Sequence, residues 1–171
     1  MLATSSLIKL IRYSRWACDR LYKAVLNGPK PSVDSSVDDV SEKIVDTLGH
    51  IFIVDQIWKA HLLGHIHGFS QRRFERAPDL AQLRLDQSNV NNWFVGYVDE
   101  LSEVQHNEPI RFTFISGAVG TMTRHEMLLH VINHRTYHWG NLTEMMRQGG
   151  YQRPSLDLCV YLTESSTGMT S

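Results

Sequence analysis

The stretch RHEMLLHVINHRTYHWGNLTEMMRQGG, residues 124–150, decides how the chain is built. Met127, Val131, His134, His138, Leu142 and Met145 follow one another at intervals of three and four. That is the period of an amphipathic helix, and Gly149-Gly150 supplies its stop. The spacing predicts a last long helix over 124–148. With His134 set at zero, steps of ~100° put His138 near +40° and His130 near −40°. Met127 and Met145 then fall near +20°, Val131 near +60° and Leu142 near +80° by the same ~100° step. His134 and His138 therefore point into the apolar stripe, and His130 sits on its shoulder. An imidazole that loses its water in an apolar core needs a compensating partner. One divalent metal could serve both, because neutral imidazole binds Zn, Ni, Cu or Fe. The bland alternative is a pair of core histidines bonded to backbone, or to Tyr137 and Asn133. The zincin protease pattern is absent: Arg135 stands where that motif has its glutamate base.

Working outward, three more helices are expected. Leu7, Leu10, Ile11, Trp16, Ala17, Leu21, Ala24 and Val25 carry the first, over about residues 5–27, which Asn27-Gly28-Pro29 stops. A polar link, Lys30 to Ser36, leads to the second. Serines, Asp38 and Asp39 suit its N-terminus, and Ile44, Leu48, Ile51, Val54, Trp58 and Leu62 mark its buried side. Gly64 and Gly68 mark its exit. A basic loop precedes a third helix at about 79–105, with Asp79 as cap and Leu83, Val90, Trp93, Phe94, Tyr97, Leu101 and Val104 on one face. Arg111 to Ile115 alternates as a strand does, and Val119 to Thr123 could return as its partner. One domain over 1–171 is expected: an all-α four-helix bundle with a long crossover connection and a short β-hairpin before the last helix.

Composition narrows the function. The chain has 171 residues, 20% of them charged, a formal net charge of −1 and 9 histidines. A nucleic-acid binder usually carries a basic stripe. Only the short cluster Gln71 to Arg76 is basic here, and it reads as a solvated loop. No apolar run approaches the ~20 residues of a membrane span. The N-terminus lacks the order of a signal peptide. Cys18 and Cys159 form no disulfide framework. A reduced, cytoplasmic protein with no nucleic-acid or membrane partner is the expectation.

A metal held by His134 and His138 needs a third ligand from another helix. His50, His61 and His65 of the second helix are the candidates. His50 lies on the flank of the apolar face and His61 near the same line three turns on, so periodicity does not choose between them. His65 and His67 lie at or beyond the helix end, His125 starts the last helix, and His106 reads as part of a polar loop.

At this point the chain resembles a known family. TLGHIFIVDQIWKAHLLG at 47–64 and LLHVINHRTYHWGNLTEMMRQGG at 128–150 are similar to the second-helix and last-helix signatures of the DinB/YfiT-like proteins. YSRWACDRLYKAV at 13–25 and PSLDLCVYL at 154–162 resemble the family's first helix and C-terminal element. The resemblance implies a four-helix bundle with a long crossover, and one divalent metal bound by His50, His134 and His138. It thus selects His50 over His61. The family's common Arg-Gly-Gln after the last ligand is Trp139-Gly140-Asn141 here.

Relatives in that family include transferases and isomerases that use low-molecular-weight thiols. The resemblance therefore implies a metal-dependent enzyme, either a thiol S-transferase acting on small electrophiles with a low-molecular-weight thiol as cofactor or a hydrolase-like metalloenzyme, with Ni or Zn foremost and Fe or Cu also suited to the site. It also implies a homodimer through helix faces; Trp93, Phe94 and Tyr97 are candidate contacts, and core packing explains them as well. Asp46 and Asn133 are candidate neighbours of the site, and no general acid or base is assignable. Two competing expectations stand beside this one. The first is a non-catalytic, stress-associated protein whose metal only ties two helices together. The second is a DNA-contacting module, which the near-neutral charge disfavours.

Overall fold

A computed structural model of the chain describes residues 2–29 and 35–168. Helix α1 spans Leu2–Leu26, α2 Ser35–Leu63, α3 Leu80–Glu100, α4 Glu103–His106, α5 Arg124–Gln148 and α6 Leu158–Ser166. Between α4 and α5, strands β1 (Pro109–Thr113) and β2 (Val119–Thr123) form an antiparallel hairpin in which Phe112 faces Gly120. The four long helices make the bundle: α2 packs along α5 and α1 along α3. The expected all-α bundle with its hairpin is the observed architecture. The polar link at 30–34 and the Asp38 side chain lie outside what is described.

Local chemistry explains the boundaries. Thr123 and Glu126 close a capping box on α5, each satisfying a backbone N–H that the first turn leaves orphaned. Asp79 accepts from the Gln82 N–H to start α3. Gly64, at φ +70°, ends α2, with the His65 N–H donating to the Ala60 carbonyl. The third helix is shorter than its apolar spacing suggests. It stops at Glu100, and Ser102 caps the separate turn α4. His106 is therefore helical and only 2% exposed, a correction to its expected place in a polar loop. The apolar run at 156–162 belongs in part to α6, which lies against α1.

The core has two apolar halves. Ala17, Leu21, Ile44, Leu48, Trp139 and Leu142 belong to one. Leu7, Val54, Trp58, Phe94, Leu128 and Val131 belong to the other. Phe94 is fully buried in the chain's own core, which is the packing alternative for that side chain, and it has no surface to offer a dimer face. Trp93 and Tyr97, stacked with centroids 4.7 Å apart, are only partly buried. Buried polar residues from four helices accompany the two halves. They are Ser14 of α1, Asp55 of α2, Gln87 and Asn91 of α3, and Arg135 of α5.

Candidate metal centre

Helix α2 presents His50 toward α5, which carries His134 and His138 one turn apart. The His50 and His134 Nε2 atoms are 3.2 Å apart. Ring centroids are 5.1 Å apart for His50–His134, 4.7 Å for His50–His138 and 4.5 Å for His134–His138. One nitrogen from each ring falls within 4.8 Å of the other two. Two imidazole nitrogens each ~2.0–2.1 Å from a shared ion stand ~3.3 Å apart at a tetrahedral angle, close to the separation seen here. The donor set therefore fits a divalent transition metal.

The surroundings prepare these rings. His50 Nδ1 lies 2.8 Å from the Arg72 carbonyl oxygen, which can only accept. That contact places the proton on Nδ1 and leaves the Nε2 lone pair facing the cluster. The loop bearing Arg72 comes close because Gly49 has no side chain. A Cβ there would meet the Phe74 ring at 2.9 Å, and Phe74 stacks on Phe52. Burial, together with the neighbouring His138 and His50, lowers the His134 pKa to about 3. Burial also lowers that of His138, helped by His50 and the Arg73 cation. Both rings are thus neutral at physiological pH, the form a metal requires. His134 Nδ1 is buried with no hydrogen-bond partner among the described residues.

The remaining candidates lie elsewhere. His61 is buried at the end of α2 against Trp58, Phe112 and His67, and burial lowers its pKa to about 4. His65 is exposed. His130 packs on Trp58 with centroids 4.5 Å apart and stacks toward His134 at 6.1 Å, on the shoulder its helical angle indicates. His106 faces His125. Asp46 is paired with Arg73, while Asn133 and Asn141 are exposed on α5.

Sequence reasoning missed the ion pair beside the cluster. Arg135, next to His134, donates from Nε and Nη2 to both carboxylate oxygens of Asp55 at 2.8–3.1 Å. Its Nη1 reaches Ser14 at 3.0 Å, and Gln87 donates to Asp55 at 2.8 Å. Both ionic groups are 1% exposed. Burial pushes the Asp55 carboxyl up, against the pull of Arg135. The signal was on the helical wheel: Arg135 falls near +100°, beside Leu142 and Val131, by the ~100° step. The pair bolts α2 to α5 beside the histidines those helices carry.

A cavity of about 580 Å³ opens against His134. Val54, Ile57 and Trp58 of α2 form one wall, and Phe114 and Ile115 of the hairpin another. The arrangement therefore joins a set of neutral nitrogen donors to a space large enough for a small molecule.

The family model described as "DinB family" matches residues 1–169. "Protein DinB" of Bacillus subtilis (strain 168) is 27% identical over 175 residues, covering 93% of this chain and 95% of the relative. None of the described helices is long and apolar enough to cross a membrane.

Proposed function

The chain belongs to the DinB family, and we propose that it is a metal-dependent enzyme whose His50, His134 and His138 hold one divalent ion, Ni or Zn foremost. The observation that carries this reading is the convergence of three histidines from two helices beside an open cavity. Structural zinc sites normally close their four-coordinate shell with protein ligands, whereas catalytic sites use three and keep a position free. A bound ion would supply Lewis acidity and would stabilise a thiolate near neutral pH.

The finer reading is a thiol S-transferase in the cytoplasm. The chain's own residues orient and shield. Arg72 holds the His50 tautomer through its carbonyl, and the Asp55–Arg135 pair fixes the helices relative to one another. The apolar walls keep water from the electrophile. In the transfer, sulfur attacks the electrophilic carbon. A C–S bond forms as the leaving group departs with its electron pair, and the thiol proton passes to solvent. A homodimer would use the partly exposed Trp93 and Tyr97, and Phe94 would take no part.

The test is elemental analysis of protein purified without an affinity tag, followed by conjugation assays with several low-molecular-weight thiols. One equivalent of metal is expected in the wild type and less than a tenth of that in His134→Ala. Stoichiometric metal in that variant would falsify the ligand assignment.

A further inference from the structure

The cavity beside the histidines has a chemical character of its own. Its walls are predominantly apolar and no carboxylate lines it among the described residues. Trp58 anchors a run of rings: its centroid lies 4.5 Å from His130 and 5.1 Å from Phe112, and Phe112 lies 4.9 Å from Phe114. Among the described residues Arg72 is the single formally charged one at its rim, and Gln71, Ser116 and the imidazoles of His61, His130 and His134 are the other polar contributors. At about 580 Å³ the space exceeds what a metal and its waters need and falls in the range of small-molecule sites. A sugar-like or multiply charged ligand has more polar groups than these few side chains can pair, at a cost of ~1–3 kcal/mol for each group left buried and unpaired. An aromatic ring would meet ring edges and faces and aliphatic side chains.

Resting on the metal-site reading above, we propose that this cavity binds an uncharged, ring-bearing molecule carrying a single donor atom that reaches the ion at His134. The ring lies between the Trp58 side and the hairpin residues Phe114 and Ile115. Selectivity is thus set by apolar contact, and a hydrophilic thiol cofactor of high charge occupies some other approach to the ion.

Two thiols separate this from the alternatives: benzyl mercaptan, and 2-mercaptoethanesulfonate, which offers the same donor on a short anionic chain. Binding to the cobalt-loaded protein is read from the sulfur-to-cobalt absorption band. Benzyl mercaptan should bind at least tenfold more tightly. Ser116 is exposed in the hairpin turn, so Ser116→Trp should fold and fill the cavity. That variant should lose at least tenfold in benzyl mercaptan affinity, with mercaptoethanesulfonate and cobalt affinities unchanged. Phe114→Ala, which removes one wall, should weaken benzyl mercaptan alone by severalfold. Equal affinity for the two thiols, or a Ser116→Trp variant that binds benzyl mercaptan normally, overturns the proposal while leaving the metal site standing. If cobalt fails to bind, the metal reading falls. The cavity is then judged by calorimetry with benzyl alcohol on the metal-free protein, where binding lost in Ser116→Trp keeps it and no binding removes it.

Discussion

At the scale of single residues, Arg135 decides more than its neighbours in sequence suggest. A guanidinium 1% exposed is tolerable only because Asp55 and Ser14 satisfy it. Removing one partner strands the other charge in the core, which costs ~3–5 kcal/mol, whereas replacing both with apolar groups of similar size is often neutral. Arg135→Ala should therefore lower the unfolding free energy by ~3–5 kcal/mol in urea titrations. Asp55→Leu with Arg135→Met should restore most of that loss. If the pair also sets the alignment of α2 and α5, the double variant should bind metal at least tenfold more weakly despite its recovered stability. Wild-type affinity in a stable double variant would reduce the pair to packing alone. The inward angle of His134 and His138 was legible because helical period is a local property. Asp55 was not, because a charge inside an apolar run reads as surface until its partner, 80 positions away, is known.

At the scale of elements, the chain's punctuation was read well where side chain and backbone interact locally. Both ends of α5 and the second strand stand where capping residues, glycines and alternation place them. The split of the third helix was missed because Leu101 and Val104 continue its apolar spacing. The capping box at Ser102 and Gln105 nonetheless starts a new turn, which buries His106. The α5 cap carries a prediction. Thr123 accepts from the Glu126 N–H, and the Glu126 carboxylate accepts from the Thr123 N–H and hydroxyl. Thr123→Ala should cost ~1 kcal/mol, and Thr123→Ser much less. Thermal unfolding of the three proteins side by side would show it. Because His134 lies three turns from this end, metal affinity should stay within twofold; a larger loss would mean that fraying at Thr123 reaches the site.

For the whole molecule, acid and metal act on the same balance. Burial lowers the pKa of His61 to about 4, and burial with the nearby His125 lowers that of His106, whose own-helix neighbour Glu103 pulls the other way. Unfolded, both histidines titrate near the ordinary value of ~6.5, so the unfolded chain binds more protons below it. Their contribution to stability is complete above pH ~6.5 and is lost as pH falls toward the folded values. Tm of the chelated protein should therefore fall between pH 6.5 and 4, and less steeply in His61→Gln; parallel curves would remove His61 from the cause. Metal works in the opposite direction. An ion held by both α2 and α5 stabilises the folded state in proportion to its binding, ~4.1 kcal/mol when free metal is a thousand times Kd. For a chain of this size that corresponds to a rise in Tm of ~8–16 °C. Each of the two apolar clusters draws side chains from all four long helices, so packing that involves no ion already joins the bundle. Chelation should lower Tm to a plateau while the helical circular dichroism signal and a cooperative transition persist at 25 °C. Loss of helical signal on chelation would make the ion a structural tie between helices, and the enzyme reading would give way to it.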